Sequence, residues 1–151
     1  ELAKVPRASE TVAATCNDDV YEIWSKGGGV IRYNVNNGAV IGQEILPIDG
    51  YLNQIFHHNE HYLMLYNNSN IALYENGEVL INAKLSGPIS HADWSNEEQG
   101  WYIAGWRELV FISTERQSRI PLNEIAVYVD AATGLYLCND GTWNIIEDIK
   151  D

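Results

Sequence analysis

The stretch Tyr62–Ile81, YLMLYNNSNIALYENGEVLI, constrains this chain more than any other. Tyr62–Tyr66 is aromatic and aliphatic, Asn67–Asn70 is turn chemistry, and Ile71–Tyr74 is apolar again. Asn76-Gly77 supplies two residues that accept positive φ in a tight hairpin, and Val79–Ile81 returns as a strand. Similar strand–turn–strand modules precede and follow it. Equivalent strands begin near Tyr21, Tyr62, Tyr102 and Tyr136, a period of about forty residues that shortens at the end. Four strands per period is the arrangement of a propeller blade, and a four-stranded sheet cannot bury both faces alone. The pattern predicts an all-β chain of about four repeats, a small four-bladed β-propeller. A β-sandwich of the same strands is the rival arrangement.

Taken in order, residues 1–11 carry Lys4, Pro6 and Arg7 among small and polar residues, without a repeating apolar face. They read as an extended arm, and residues 12–151 as one all-β repeat domain. Strands are predicted over Val12–Thr15, Val20–Trp24, Val30–Val35 and Ala39–Ile45. The second group is Tyr51–Phe56, Tyr62–Tyr66, Ile71–Tyr74 and Val79–Ala83. The third is Ile89–Trp94, Trp101–Trp106, Leu109–Thr114 and Ser118–Pro121, and the fourth Ile125–Asp130, Leu135–Cys138 and Thr142–Ile146. No long segment keeps a helical period.

Val20–Gln43, VYEIWSKGGGVIRYNVNNGAVIGQ, resembles one repeat of the hemopexin-like family, whose blades run as an aromatic strand, a glycine turn, an apolar-x-Arg-Tyr strand and a hairpin. Trp101–Ile112, WYIAGWRELVFI, and Asp130–Ile145, DAATGLYLCNDGTWNI, are looser versions. The Asp-Ala pair that opens such blades stands as Asp130-Ala131, and reversed as Ala92-Asp93. The resemblance implies a propeller whose first and last blades are tied by a disulfide, a part that Cys16 and Cys138 would play. It also implies a secreted module that binds a small ligand or a matrix protein. By themselves the two cysteines leave the matter open. A bond between them would close a loop of about 120 residues and stabilise by ~4–5 kcal/mol in the chain-entropy model, whereas two free thiols suit a reducing compartment.

The formal net charge is −12, from 21 acidic and 9 basic residues. Such a field repels nucleic acid and anionic membrane surfaces and attracts basic partners. No apolar run approaches the ~20 residues that span a bilayer. Trp 5 and Tyr 9 against Phe 2 favour aromatic rings with a polar handle, which suit interaction surfaces.

His57-His58-Asn59-Glu60-His61 matches H-x-x-E-H, in which two histidines on a helix bind zinc and the glutamate is the base. Here the residues lie between two strand patterns, so His57 and His61 are weak metal candidates and a hairpin tip is the better account. Gly27-Gly28-Gly29 precedes a strand and not a helix, which argues against a phosphate cradle. Ser90-His91 and Asp93 are neighbours in sequence only, and no catalytic residue or cofactor is expected. The expected site is instead a surface formed by Asp93, Trp94, Glu97, Glu98 and Glu108, an aromatic anchor among carboxylates that pair a partner's lysines and arginines. Of the tryptophans nearby, Trp101 and Trp106 are assigned to the core and Trp94 to the surface. The expectation is a non-catalytic domain binding a basic protein in the cytoplasm, in its sharpest form an immunity-type inhibitor of a basic toxin nuclease. The other two readings are the secreted hemopexin-like module and a metal enzyme using His57, Glu60 and His61.

Overall fold

The computed structural model describes residues 10–146. Residues 1–9, which carry most of the expected arm, and residues 147–151 lie outside the described part, and Thr11 already belongs to a strand. Fifteen strands form four antiparallel sheets, each built from strands consecutive in sequence. Sheet 1 holds β1 (Thr11–Asn17), β2 (Val20–Ser25), β3 (Gly29–Asn34) and β4 (Val40–Ile45). Sheet 2 holds β5 (Leu52–His58), β6 (His61–Tyr66), β7 (Asn70–Glu75) and β8 (Glu78–Lys84). Sheet 3 holds β9 (Ile89–Ser95), β10 (Gly100–Gly105), β11 (Glu108–Ile112) and β12 (Gln117–Pro121). Sheet 4 has three strands, β13 (Ala126–Asp130), β14 (Leu135–Cys138) and β15 (Trp143–Ile145). Within a sandwich the connections would pass from sheet to sheet. Here each sheet is a closed meander, as a propeller blade requires.

The turns follow their chemistry. Asn76 (φ 51°) and Gly77 (φ 79°) make the predicted hairpin, and Asn67 (φ 49°) and Asn68 (φ 65°) make the one before it. Gly50, at φ 123°, admits no side chain: a Cβ there would lie 1.9 Å from Asn67 Oδ1. That asparagine holds the loop by accepting from the Tyr51 amide at 2.9 Å and donating to the Asp49 carbonyl at 2.5 Å.

The chain divides into two compact units, Glu1–Leu80 and Ile81–Asp151. In the first, Trp24 and Val30 of sheet 1 pack on Leu52, Tyr62, Met64, Ala72 and Tyr74 of sheet 2. In the second, Tyr102, Ala104, Leu109 and Phe111 of sheet 3 pack on Ala126, Val129, Tyr136 and Cys138 of sheet 4. Each Val, Leu, Met or Phe among them contributes roughly 1.5–3 kcal/mol when fully buried. Tyr62 and Tyr136 both face the preceding sheet of their unit, but Tyr102 faces the following one. In the third repeat Trp101 is therefore the equivalent position, because a shift of one residue reverses the face in a strand.

Candidate functional site

In sheet 1 the inward face of β2 and β3 is apolar at Trp24 and Val30 and charged at Glu22 and Arg32. The hairpin register sets Glu22 directly opposite Arg32, with Thr15 across Glu22 on β1 and Gly42 across Arg32 on β4. Tyr62 and Tyr74 are cross-strand partners on the facing sheet. Their rings lie 5.8 Å apart and each contacts Trp24, at 5.3 and 6.0 Å.

This packing assembles one hydrogen-bonded network. Arg32 Nε donates to Glu22 Oε2 at 2.8 Å, and its Nη2 donates to Glu44 Oε1 at 2.7 Å and to the Tyr74 hydroxyl at 3.2 Å. The Tyr62 hydroxyl donates to Glu22 Oε1, and the Tyr74 hydroxyl to Glu44 Oε1. Glu22 Oε1 also accepts from Thr15 Oγ1 at 3.1 Å, and Thr15 Oγ1 accepts from Trp24 Nε1 at 2.9 Å. Glu22 is only 4% exposed, so its charge depends on these partners. Burial works against the charged guanidinium of Arg32, but its bonds to Glu22, Glu44 and Tyr74 outweigh that and raise its pKa. Burial and then the bond to Glu22 raise the Tyr62 pKa, and burial and the bond to Glu44 raise that of Tyr74.

Above the network lies an open cleft of about 550 Å³. Arg32, Glu44, Tyr62 and Tyr74 line it with Asn17, Gly42, Gln43, Glu60, Asn76 and Gly77, all from the first unit. A side chain at Gly42 would meet nothing within 4 Å, so the wall is open there. The arginine is held by two carboxylates and a phenol, and Glu44 and Glu60 leave the cleft acidic. It can orient and pair a cationic group, and it offers no nucleophile–base pair.

The residues expected to form a binding surface are placed differently. Trp94 is buried edge-on to Trp101 at 5.6 Å, with its Nε1 donating to Asn96 Oδ1 at 3.1 Å. This corrects its surface assignment: the register pairs Trp94 with Trp101, so both rings stand on one covered face. Trp106, assigned to the core, is instead exposed, because β10 ends at Gly105 and the turn passes through Arg107 at φ 56°. Glu108 is also buried. It accepts from the Ser86 amide at 2.6 Å and the Ser86 hydroxyl at 2.5 Å, and pairs with Arg119 at 3.3 Å. Glu98 accepts from the Tyr102 hydroxyl and from Arg116 Nη2, each at 2.7 Å, and Asp93 accepts from the Ala131 amide at 2.8 Å. Of the five, Glu97 alone is exposed.

His58 and His61 are opposed across a turn at Asn59-Glu60, so the histidines sit on a hairpin and not on a helix. His57 stacks on Tyr62 at 5.9 Å, and His61 Nδ1 lies 2.7 Å from Glu75 Oε1. Among the described residues no group of three or more His, Cys, Asp or Glu side chains is placed to hold a metal. Cys16 is exposed and Cys138 is buried, and both thiols are free. Burial first, then Asp140 and Glu124, raise the Cys138 pKa.

No family profile matches the sequence, and no curated protein is similar to it. Solved structures share its fold. The WD40 domain of Neurospora crassa Pan2 aligns with a TM-score of 0.62 and 13% identity, over 91% of this chain and 46% of that one. The β-propeller domain of Myceliophteria thermophila Cps50 (Swd1) aligns at 0.68 and 13% identity, over 99% and 55%. The computationally designed Ika4 protein aligns at 0.64 and 11% identity, over 96% and 94%. The chain thus has a small β-propeller fold, similar to WD40 domains, and the resemblance to hemopexin-like repeats finds no support among these structures. It spans about half the length of the two natural propeller domains.

Proposed function

We propose that this chain is a non-catalytic binding domain whose first-unit cleft receives a lysine- or arginine-bearing segment of a partner protein. The observation that carries this reading is the state of Arg32. Its guanidinium is already engaged by Glu22, Glu44 Oε1 and Tyr74, so the carboxylate of Glu60, with the second oxygen of Glu44, faces a ligand across the open cleft. Carboxylates at the mouth of such a cleft suit a guanidinium or an ammonium, which they pair. The overall charge of −12 adds long-range attraction for a basic partner.

Arginine-rich, lysine-rich and acidic peptides, titrated calorimetrically, test this. The basic peptides bind and the acidic one does not, and Glu44→Gln with Glu60→Gln weakens binding by about tenfold or more. Binding that ignores both substitutions overturns the cleft as the site. The narrower form, an inhibitor that caps a basic toxin nuclease, has only the net charge as its support. It requires association that slows steeply with salt. A reducing, cytoplasmic setting is the matching proposal for the two free thiols, and a thiol count on the denatured, unreduced protein checks it.

A further inference from the structure

Gly42 is a glycine that the fold itself does not ask for. It stands inside β4, where glycine is weaker than alanine because it loses more backbone entropy and packs nothing. Its φ is not positive, so the backbone there does not strain an ordinary side chain. A bulge at Ile41 adjoins it, but the bulges that need glycine place it at positive φ. Packing does not require it either. A Cβ at Gly100 would lie 2.4 Å from the Phe111 ring, whereas one at Gly42 meets nothing within 4 Å. What a side chain at Gly42 would enter is the cleft, which this residue lines directly opposite Arg32. A strand glycine of this kind marks a place where a ligand or another backbone comes close.

Arg32 supplies an independent observation. Its Nε and Nη2 are used on Glu22, Glu44 and Tyr74, but Nη1 makes no hydrogen bond among the described residues. The side chain is 25% exposed and lines the cleft, so the Nη1 hydrogens are donors left for a ligand oxygen. A carboxylate is a poor candidate for that oxygen, because Glu22, Glu44 and Glu60 outnumber the single arginine. A neutral carbonyl meets no such repulsion. Glu44 bonds to Arg32 and Tyr74 through Oε1 only, so its Oε2 and the exposed Glu60 remain to take a cation.

We propose that the cleft reads the main chain of its ligand as well as its charge. An extended segment lays a peptide group over Gly42, gives a carbonyl to Arg32 Nη1, and places a lysine or arginine at Glu60 and Glu44 Oε2. Gly42 is then the specificity-determining position, since it sets how closely the incoming backbone approaches. This inference rests on the cleft being the docking site for a basic segment. It adds that a cation without a peptide group uses only half of the site.

The probe is a short alanine peptide with one central arginine, which fixes the register. It is titrated calorimetrically into the full chain at up to about 1 mM. Gly42→Ala and Gly42→Val keep or raise the urea midpoint, because neither meets a neighbour and valine suits a strand. They weaken peptide binding by about threefold and about tenfold, the range of one lost hydrogen bond. Replacing the peptide's amides one at a time by esters, whose carbonyls accept more weakly, costs about threefold at one position. If no ester position responds, the ligand is held by side chains alone and the main-chain contact is wrong. A urea midpoint that falls on Gly42→Ala means that the fold does require glycine, and also overturns the inference. Binding that survives both Gly42 variants but is lost on Glu44→Gln with Glu60→Gln overturns it too, while leaving the cleft as the docking site. Binding indifferent to all four substitutions overturns the docking site and this inference together.

Discussion

Glu22 in the first unit and Glu108 in the second are both buried glutamates within reach of an arginine, and they serve opposite ends. Glu108 Oε2 accepts from both the Ser86 amide and hydroxyl, so it pins the chain segment entering sheet 3, while Oε1 faces Arg119. Glu22 is held instead by Arg32, Tyr62 and Thr15, side chains on three different strands that also line or support the cleft. A buried carboxylate bonded to backbone fixes a turn. One bonded to a guanidinium and phenols shapes a cavity, and makes its charge pattern depend on packing between two sheets.

The largest expected effect is at Arg32. Arg32→Ala leaves Glu22 buried without its cation and destabilises the fold by about 3–5 kcal/mol, read as a shift of the urea midpoint at constant slope. Glu22→Leu combined with Arg32→Met removes both charges while keeping volume, and loses far less than the sum of the single changes. If the double change is additive, the two residues are not coupled as the geometry requires. Glu108→Ala comes next, at about 2 kcal/mol, because it strands the Ser86 amide. It leaves basic-peptide binding unchanged. A loss of binding there would erase the distinction between the two glutamates.

The contrast between these two sites was only half legible in the sequence. Strands and turns could be read because local chemistry dictates them: Asn76-Gly77 accepts positive φ in any context, and even Ser118–Pro121 proved to be a strand, β12. The H-x-x-E-H match could be set aside for the same local reason. Side-chain destinations depend on register, which a sequence without its pairing does not fix. Glu22 and Arg32 lie far apart along β2 and β3, and only the hairpin sets them opposite each other. A signal was present, since each sits two residues from an inward apolar anchor, Trp24 and Val30, and so falls on the covered face. Trp94 and Trp106 were exchanged for the same cause. The pairing of Trp94 with Trp101 covers the first, and the end of β10 at Gly105 exposes the second. Glu108 looked like surface because its partner Ser86 lies on the far side of two strands in the chain.

Smaller effects separate the two sites through their phenols. Tyr62 serves Glu22 and Tyr102 serves Glu98, and burial followed by these bonds raises both pKa values above the ordinary 10.0. The neutral phenol is the bonded form, so the stabilisation is fully present below pH 10 and is lost as pH rises from the ordinary value through the raised folded one. The urea midpoint should fall as pH climbs past about 10. Tyr62→Phe costs about 1 kcal/mol at neutral pH and flattens that fall, and Tyr102→Phe does the same from the second unit. Stability that stays level above pH 10 would mean the phenols do not donate to the carboxylates.

The smallest effect is expected at Glu97, the one exposed carboxylate of the second-unit group. Glu97→Gln removes a solvated charge from an exposed turn, so stability changes by less than about 0.5 kcal/mol. Glu60→Gln, at the exposed hairpin tip, is equally neutral for stability, but it lines the cleft and Glu97 does not. The pair therefore isolates ligand contact from folding. Each variant is titrated with the same arginine-rich peptide at low and at physiological salt. Loss of affinity confined to Glu60→Gln places the cation in the first-unit cleft. Equal small losses that vanish with added salt would mean the peptide senses only the overall field of the protein, and the cleft would then be no more than the gap its buried network requires.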